Sequence, residues 1–254
     1  MFRYFIQLAY RGTRFHGWQI QPNAISVQEE LNKALSVLTR ETVNVVGAGR
    51  TDTGVHASFF VAHVDLQNEL ADPAQLAYKM NAFLPDDIRI DSMFLVEGDF
   101  HARFSAVSRT YRYYIASRKE LFQHEFSHYV PYNLDLDKMN EAAKTLFDYT
   151  DFTSFSKLHT DVKTNNCVIM DAFWSLNDNG LLVFEVKADR FLRNMVRAMV
   201  GTLLEVGKGR MSIAEFKAVL EQHHRGAAGA SVAAKGLFLC DIVYPDPINA
   251  CFYR

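Results

Sequence analysis

The sequence predicts an α+β fold of two βαββαβ units, ferredoxin- or RRM-like, with antiparallel sheets packed side by side around a central cleft. Three observations predict it. Apolar residues alternate between a period of two and a period of 3.6 along the chain. The element order of residues 1–105 recurs in residues 106–254. No stretch rich in Gly, Ser or Pro separates the halves, so a shared cleft is expected, a common place for a site.

The elements follow in order. Residues 3–10, "RYFIQLAY", read as a strand. Residues 26–38 read as a helix with Val27, Leu31, Ala34, Leu35 and Leu38 on one face, opened by a Ser26–Glu29 capping box. Strands are expected at 43–46 and 58–66, a helix after Pro73 through "LAYKMNAFL", and a strand at 88–96. The second half offers a strand at 108–117 and a helix at 137–147. The strands "CVIMDAFWSL" and "LLVFEVKA" follow, joined by the turn signal "NDNG". A helix over 190–207, a short helix from Ser212 with a capping box to Glu215, and a strand over 236–245 complete the set.

The 254 residues, 49% of them hydrophobic, suffice for one large domain or two small ones with real cores. Net charge is −2. Residues 1–105 carry nine Lys/Arg against twelve Asp/Glu, and residues 106–254 eighteen against seventeen. A nucleic-acid partner would therefore be held by local clusters and not by a global field. Cys167, Cys240 and Cys251 are far apart and form no C-x-x-C, which argues against a disulfide framework or a cysteine zinc site. No run reaches transmembrane length, and "MFRYFIQLAYRG" lacks a signal-peptide layout. A soluble, reduced, cytoplasmic protein is expected.

Four features could carry chemistry. In "VNVVGAGRTDTGVHASFF", Gly47, Gly49 and Gly54 let the backbone bend or approach a ligand, presenting Asp52 on a loop. Asp52 either caps its own turn or serves as a catalytic carboxylate; Arg50 could hold it ionised. In "HARFSAVSRTYRYY", the strand puts Arg109, Tyr111 and Tyr113 on one face and Thr110, Arg112 and Tyr114 on the other. The first face could stack a base and hold phosphate, or be an ordinary half-buried strand. On the expected helix 190–207, Arg190, Arg193 and Arg197 share a face with no acid between residues 190 and 204. That row is either a solvated face or a contact for phosphate or carboxylate, with Arg197 a candidate partner for Asp52. Lastly, "HEFSH" from His124 to His128 satisfies H-E-x-x-H, with Glu125 as would-be base. It lies in a connection shortly before Pro131, too short for a buried zinc helix, so no metal is expected. His56 and His63 are read as loop supports or solvent-facing groups, and Trp18 and Gln19 as structural or rim residues.

Taken together, these motifs resemble the tRNA pseudouridine synthases of the TruA family. "GAGRTDTGVHA" is the most specific. "YRGTRFHGWQIQ", "NAFLPDDI", "FHARFSAVSRTYRYY", "DFTSF", "FLRNMVRAMVG" and "GLFL" follow in the family's order across essentially the whole chain. The resemblance implies isomerisation of uridine to pseudouridine at positions 38, 39 and 40 of the tRNA anticodon stem-loop, by a homodimer without a cofactor. It implies Asp52 as the catalytic carboxylate, a nucleophile or a base on the sugar, and Tyr111 stacking on the target uracil. Arg197 matches the arginine of the family's M-V-R motif. Arg50 would orient the aspartate or fill the space of the extruded nucleotide, and Arg112, Arg190 and Arg193 are possible RNA contacts. Thr53 stands where the family usually has alanine, and Ala233 where a proline is expected.

The chemistry fits the residues. The reaction breaks the C1′–N1 bond, turns the uracil and rejoins it through C5, so the base must leave its stack for a pocket. No second carboxylate stands near Asp52 in sequence, which argues against ordinary glycoside hydrolysis. Three alternatives stay open: another RNA target, a non-catalytic RNA-binding protein, and a zinc hydrolase using "HEFSH".

Overall fold

A computed structural model describes residues 1–157 and 164–252. By packing, the chain divides into two units, Met1–Ser108 with Leu239–Arg254, and Arg109–Phe238.

The first unit is built on β1, Phe2–Tyr10, antiparallel to β3, His56–Leu66, on one side and to β4, Ile88–Val96, on the other. Between β1 and β3 come α1, Val27–Thr39, and the two-residue strand β2, Val46–Gly47; α2, Pro73–Phe83, precedes β4. Flanked by strands on both edges, β1 is buried on both faces: Tyr4, Phe5, Ile6 and Leu8 are all within the core. α1 turns Val27, Leu31, Ala34 and Leu35 inward, as its period requires, and burial of each valine or leucine among them contributes roughly 1.5–3 kcal/mol. Its N-terminus is capped by the Ser26 hydroxyl, which accepts the Glu29 N–H at 3.3 Å.

The expected strand 43–46 is a correction. Only Val46 and Gly47 pair with β3. The backbone just before them is bonded to α1 side chains instead. Asn32 Oδ1 accepts the Val45 N–H at 2.8 Å, and Gln28 Nε2 donates to the Val45 carbonyl at 2.7 Å. Val43 and Val45 are nonetheless buried, which explains the β-like pattern of the sequence.

The second unit holds β5, Ser108–Ala116, from its second residue on; Arg109 to Ile115 pair antiparallel with β8, Leu182–Ala188, and β8 pairs in turn with β7, Ile169–Leu176. β6, His128–Tyr129, runs parallel to β5. α3, Leu136–Lys144, packs on β7 and on α4, Met195–Gly207; α5 is Ile213–Glu221. Asn177–Gly180 closes the β7–β8 hairpin, and the Ser212–Glu215 capping box forms in both directions. The chain then passes through β9, Leu237–Val243, into the first unit and ends in α6, Ile248–Cys251. There Tyr244 donates its hydroxyl hydrogen to the Ala102 carbonyl and packs on Phe5.

The expected helix over 190–207 is also corrected: α4 begins only at Met195. Asn194 has φ +66°, a left-handed conformation that cannot continue a right-handed helix, and its amide donates to Ser231 Oγ at 2.7 Å. Among the described residues, no helix is long and apolar enough to cross a membrane.

Candidate functional site

The Asp52 loop is shaped by a second segment of the same unit, residues 12–18. Asp52 opens a turn in which its carbonyl accepts the Val55 N–H at 3.1 Å. Gly54, third in that turn, has φ +77°, the requirement of a type II turn, and Thr53 occupies the preceding, permissive position. Alanine and threonine both fit there, so the departure at Thr53 leaves the turn intact.

Segment 12–18 is hydrogen-bonded to residues 51–56 at three points. The Gly12 N–H donates to His56 Nδ1 at 3.0 Å, and the Phe15 carbonyl accepts from Gly54. Trp18 N–H donates to the Thr51 carbonyl at 3.2 Å. Gly17 is the tightest contact. Its φ is +87°, and a Cβ there would lie 2.4 Å from the Thr51 carbonyl oxygen and 3.2 Å from the Asp52 carbonyl carbon. Trp18 is 2% exposed and stacks on Phe60 with centroids 4.3 Å apart; Gly47 leaves the room its ring occupies. Tyr10 and Thr51 share a hydroxyl–hydroxyl bond of 2.9 Å. Of the sequence's two readings of Trp18, the structural one holds. Gln19 is exposed.

On this frame Asp52 is half-buried and Arg50 exposed. The two residues stand on either side of Thr51, whose backbone is held by Trp18 and whose side chain is buried against Tyr10. Sequence reasoning missed Gly12 and Gly17 as the contacts that set the loop. Their signal was their place in "YRGTRFHGWQ", adjacent in the fold and not in the chain.

In the second unit Tyr111 is half-buried on β5, with Phe191 edge-on to its ring at 5.0 Å. The expected Arg109–Tyr111–Tyr113 face is only partly available. Tyr113 is fully buried and donates its hydroxyl hydrogen to the Ala233 carbonyl at 2.7 Å; burial raises its pKa. Arg109 donates to the Asp189 carbonyl at 2.8 Å. Arg112 is exposed and ion-paired to Glu185, directly opposite on β8, at 2.5 Å.

The arginine row also separates. Arg190 and Arg193 precede α4, so they do not share a helix face with Arg197. Arg190 is half-buried and Arg193 exposed. Arg197 is half-buried within α4. Its Nε donates to the Val232 carbonyl at 2.8 Å, and its own carbonyl accepts the Val232 N–H. Ala233 follows with φ −58°, a value proline would share.

The H-E-x-x-H pattern is not on a helix. His124 and Glu125 occupy an exposed turn, and His128 lies on β6 beside Tyr113. The i, i+4 geometry that would converge two imidazoles is therefore missing. Among the described residues no group of His, Cys, Asp or Glu is arranged to hold a metal ion. His56 is the loop support expected of it; His63 is buried and accepts the Ala102 N–H at 3.1 Å.

Comparison with known proteins places this arrangement. A family model described as tRNA pseudouridine synthase matches residues 7–105 and 142–245. Asp52 and Arg197 lie inside those spans and Tyr111 outside them. The tRNA pseudouridine synthase A of Bacteroides fragilis is 55% identical, over 97% of this chain and 98% of its own length. That of Parabacteroides distasonis is 53% identical over 98% of each. That of Bacillus subtilis is 40% identical, over 94% of this chain and 98% of its own. By this match, over most of its length, the chain belongs to the tRNA pseudouridine synthase family.

Proposed function

We propose that this chain isomerises uridine to pseudouridine at positions 38, 39 and 40 in the anticodon stem-loop of tRNAs, with Asp52 as the catalytic carboxylate. The observation that carries the reading is the Asp52 turn, with its left-handed Gly54 and its backbone packed on Gly17. A carboxylate on a backbone held this closely starts the reaction already oriented.

The step balances without a cofactor. The C1′–N1 bond breaks and its electron pair stays with the uracil. The base turns, C5 bonds to C1′, and the C5 hydrogen leaves as a proton while N1 gains one. Asp52 acts at the sugar, as nucleophile on C1′ or as a base. Tyr111 stacks on the displaced uracil, its ring steadied by Phe191. The exposure of Arg50 supports its filling of the vacated stack and not orientation of the carboxylate. Arg197, anchored to the Val232 carbonyl, contacts the substrate. Arg112, Arg190 and Arg193 are outer RNA contacts. The enzyme works in the cytoplasm as a homodimer.

Tritium release from tRNA labelled at uridine C5 tests the reading, because the reaction expels that hydrogen. Wild type should release it with EDTA present, and Asp52→Asn should be slower by on the order of a thousandfold or more. Release matched by Asp52→Asn would remove Asp52 from catalysis. Release with pseudouridine mapping elsewhere would replace the tRNA positions and keep the chemistry.

A further inference from the structure

A buried carboxylate beside the Asp52 loop has no part in the chemistry above. Asp87 has a side chain 4% exposed. Its Oδ1 lies 2.7 Å from Arg11 Nη2 and its Oδ2 3.1 Å from Arg14 Nη1. Its carbonyl also accepts the Arg11 N–H at 2.9 Å. The two arginines are themselves 54% and 72% exposed. They flank Gly12, so close to the Asp52 turn that a Cβ would lie 2.0 Å from the Val55 carbonyl oxygen, and they precede Phe15, whose carbonyl holds Gly54.

We propose that Arg11 and Arg14, fixed by Asp87, form a fork that binds a backbone phosphate of the RNA beside the Asp52 loop. The proposal rests on the RNA substrate read above. A guanidinium has five N–H donors in a rigid plane. One nitrogen of each meets Asp87, and most of each remaining group faces solvent. A stabilising ion pair alone would need one arginine; the second leaves the trio with a charge of +1. Long side chains normally lose much freedom when they grip a phosphate, and this pair is already ordered. Asp86, next in sequence, is exposed and adds a negative charge beside Asp87 in the chain, so the fork works through oriented donors and not through a broad positive field. The ligand class is a phosphodiester.

The experiment is tRNA binding by the full-length protein across a salt series, with tritium release at saturating tRNA and thermal melting on each variant. Arg14→Gln and Arg11→Gln should each weaken binding and make the log–log salt slope shallower by about 0.7–0.9 for each phosphate no longer neutralised. Their turnover at saturation should stay within about twofold of wild type, since an interaction made equally in ground and transition states alters binding alone. Asp87→Asn should weaken binding with the slope unchanged, because both charges remain. A purely structural clamp would lower melting temperature or turnover and leave every slope at the wild-type value; that result overturns the fork. Two separate arginines keep the test readable should one variant misfold. Folded arginine variants with wild-type affinity and slope, beside an active wild type, overturn the fork alone. A wild type that neither binds tRNA nor releases tritium overturns the RNA reading and the fork with it.

Discussion

The Asp52 loop and the α4 arginine show two ways of holding a candidate site side chain. Asp52 sits on a backbone fixed by other backbone: Gly17, Phe15 and Trp18 all touch residues 51–54 through main-chain atoms. Arg197 sits on a helix and is fixed through its side chain, by the Val232 carbonyl. A backbone cradle tolerates little change in shape, since carbonyls and amides cannot rotate away. A side-chain anchor tolerates more. Errors in the first region should therefore appear as a collapse of turnover, and errors in the second as a graded weakening of substrate binding.

Gly17→Ala should break the comparison most visibly. The added methyl meets the Thr51 carbonyl and the backbone is left-handed, a strain of about 1–3 kcal/mol. A displacement of about 1 Å at Asp52 would slow turnover by up to about a hundredfold. Single-turnover tritium release and melting measure both. Near-wild-type turnover would mean that the cradle does not set the carboxylate. Tyr111→Leu comes next. Base stacking is worth about 1–3 kcal/mol, so kcat/KM should fall by roughly ten- to a hundredfold, while Tyr111→Phe should stay close to wild type. Equal decreases in both variants would assign the role to the hydroxyl.

A smaller effect lies in pH dependence. Burial, with help from the nearby Arg3 charge, lowers the His63 pKa from 6.5 to about 4. The folded state keeps His63 neutral while the unfolded chain takes a proton near 6.5. Its contribution is thus complete above about pH 6.5 and declines as pH falls towards 4. Denaturant titrations over that window should show the decline, and His63→Phe should flatten it. The smallest effect concerns the second region. Ala233 already holds φ −58°, so Ala233→Pro should stabilise by about 0.4–1 kcal/mol, chiefly by restricting the unfolded chain. Destabilisation would show that the Val232–Ala233 backbone cannot accept the ring.

Local signals were legible where one segment decides its own conformation. Ser26 and Ser212 cap their helices, Pro73 opens α2, and "NDNG" turns the β7–β8 hairpin. The alternation at the start of β4 and the apolar face of α1 lie in the order of residues, because period and burial coincide there. The Asp52-Thr53-Gly54 run marked its turn, since a glycine two residues after an acid is a local turn signal and Gly54 is left-handed. Other features depended on partners distant in the chain. Val45 left the β-ladder for Asn32 and Gln28, and Asn194 left the helix for Ser231. Arg112 met Glu185 across the sheet, Tyr113 was drawn into the core, and Asp87 was placed under Arg11 and Arg14. By itself the sequence determined most of the elements and the family, and it singled out Asp52 as the candidate carboxylate. Only the tertiary structure decided which side chains remain exposed to meet a substrate, because competition for hydrogen-bond partners is settled between segments that the chain order does not bring together.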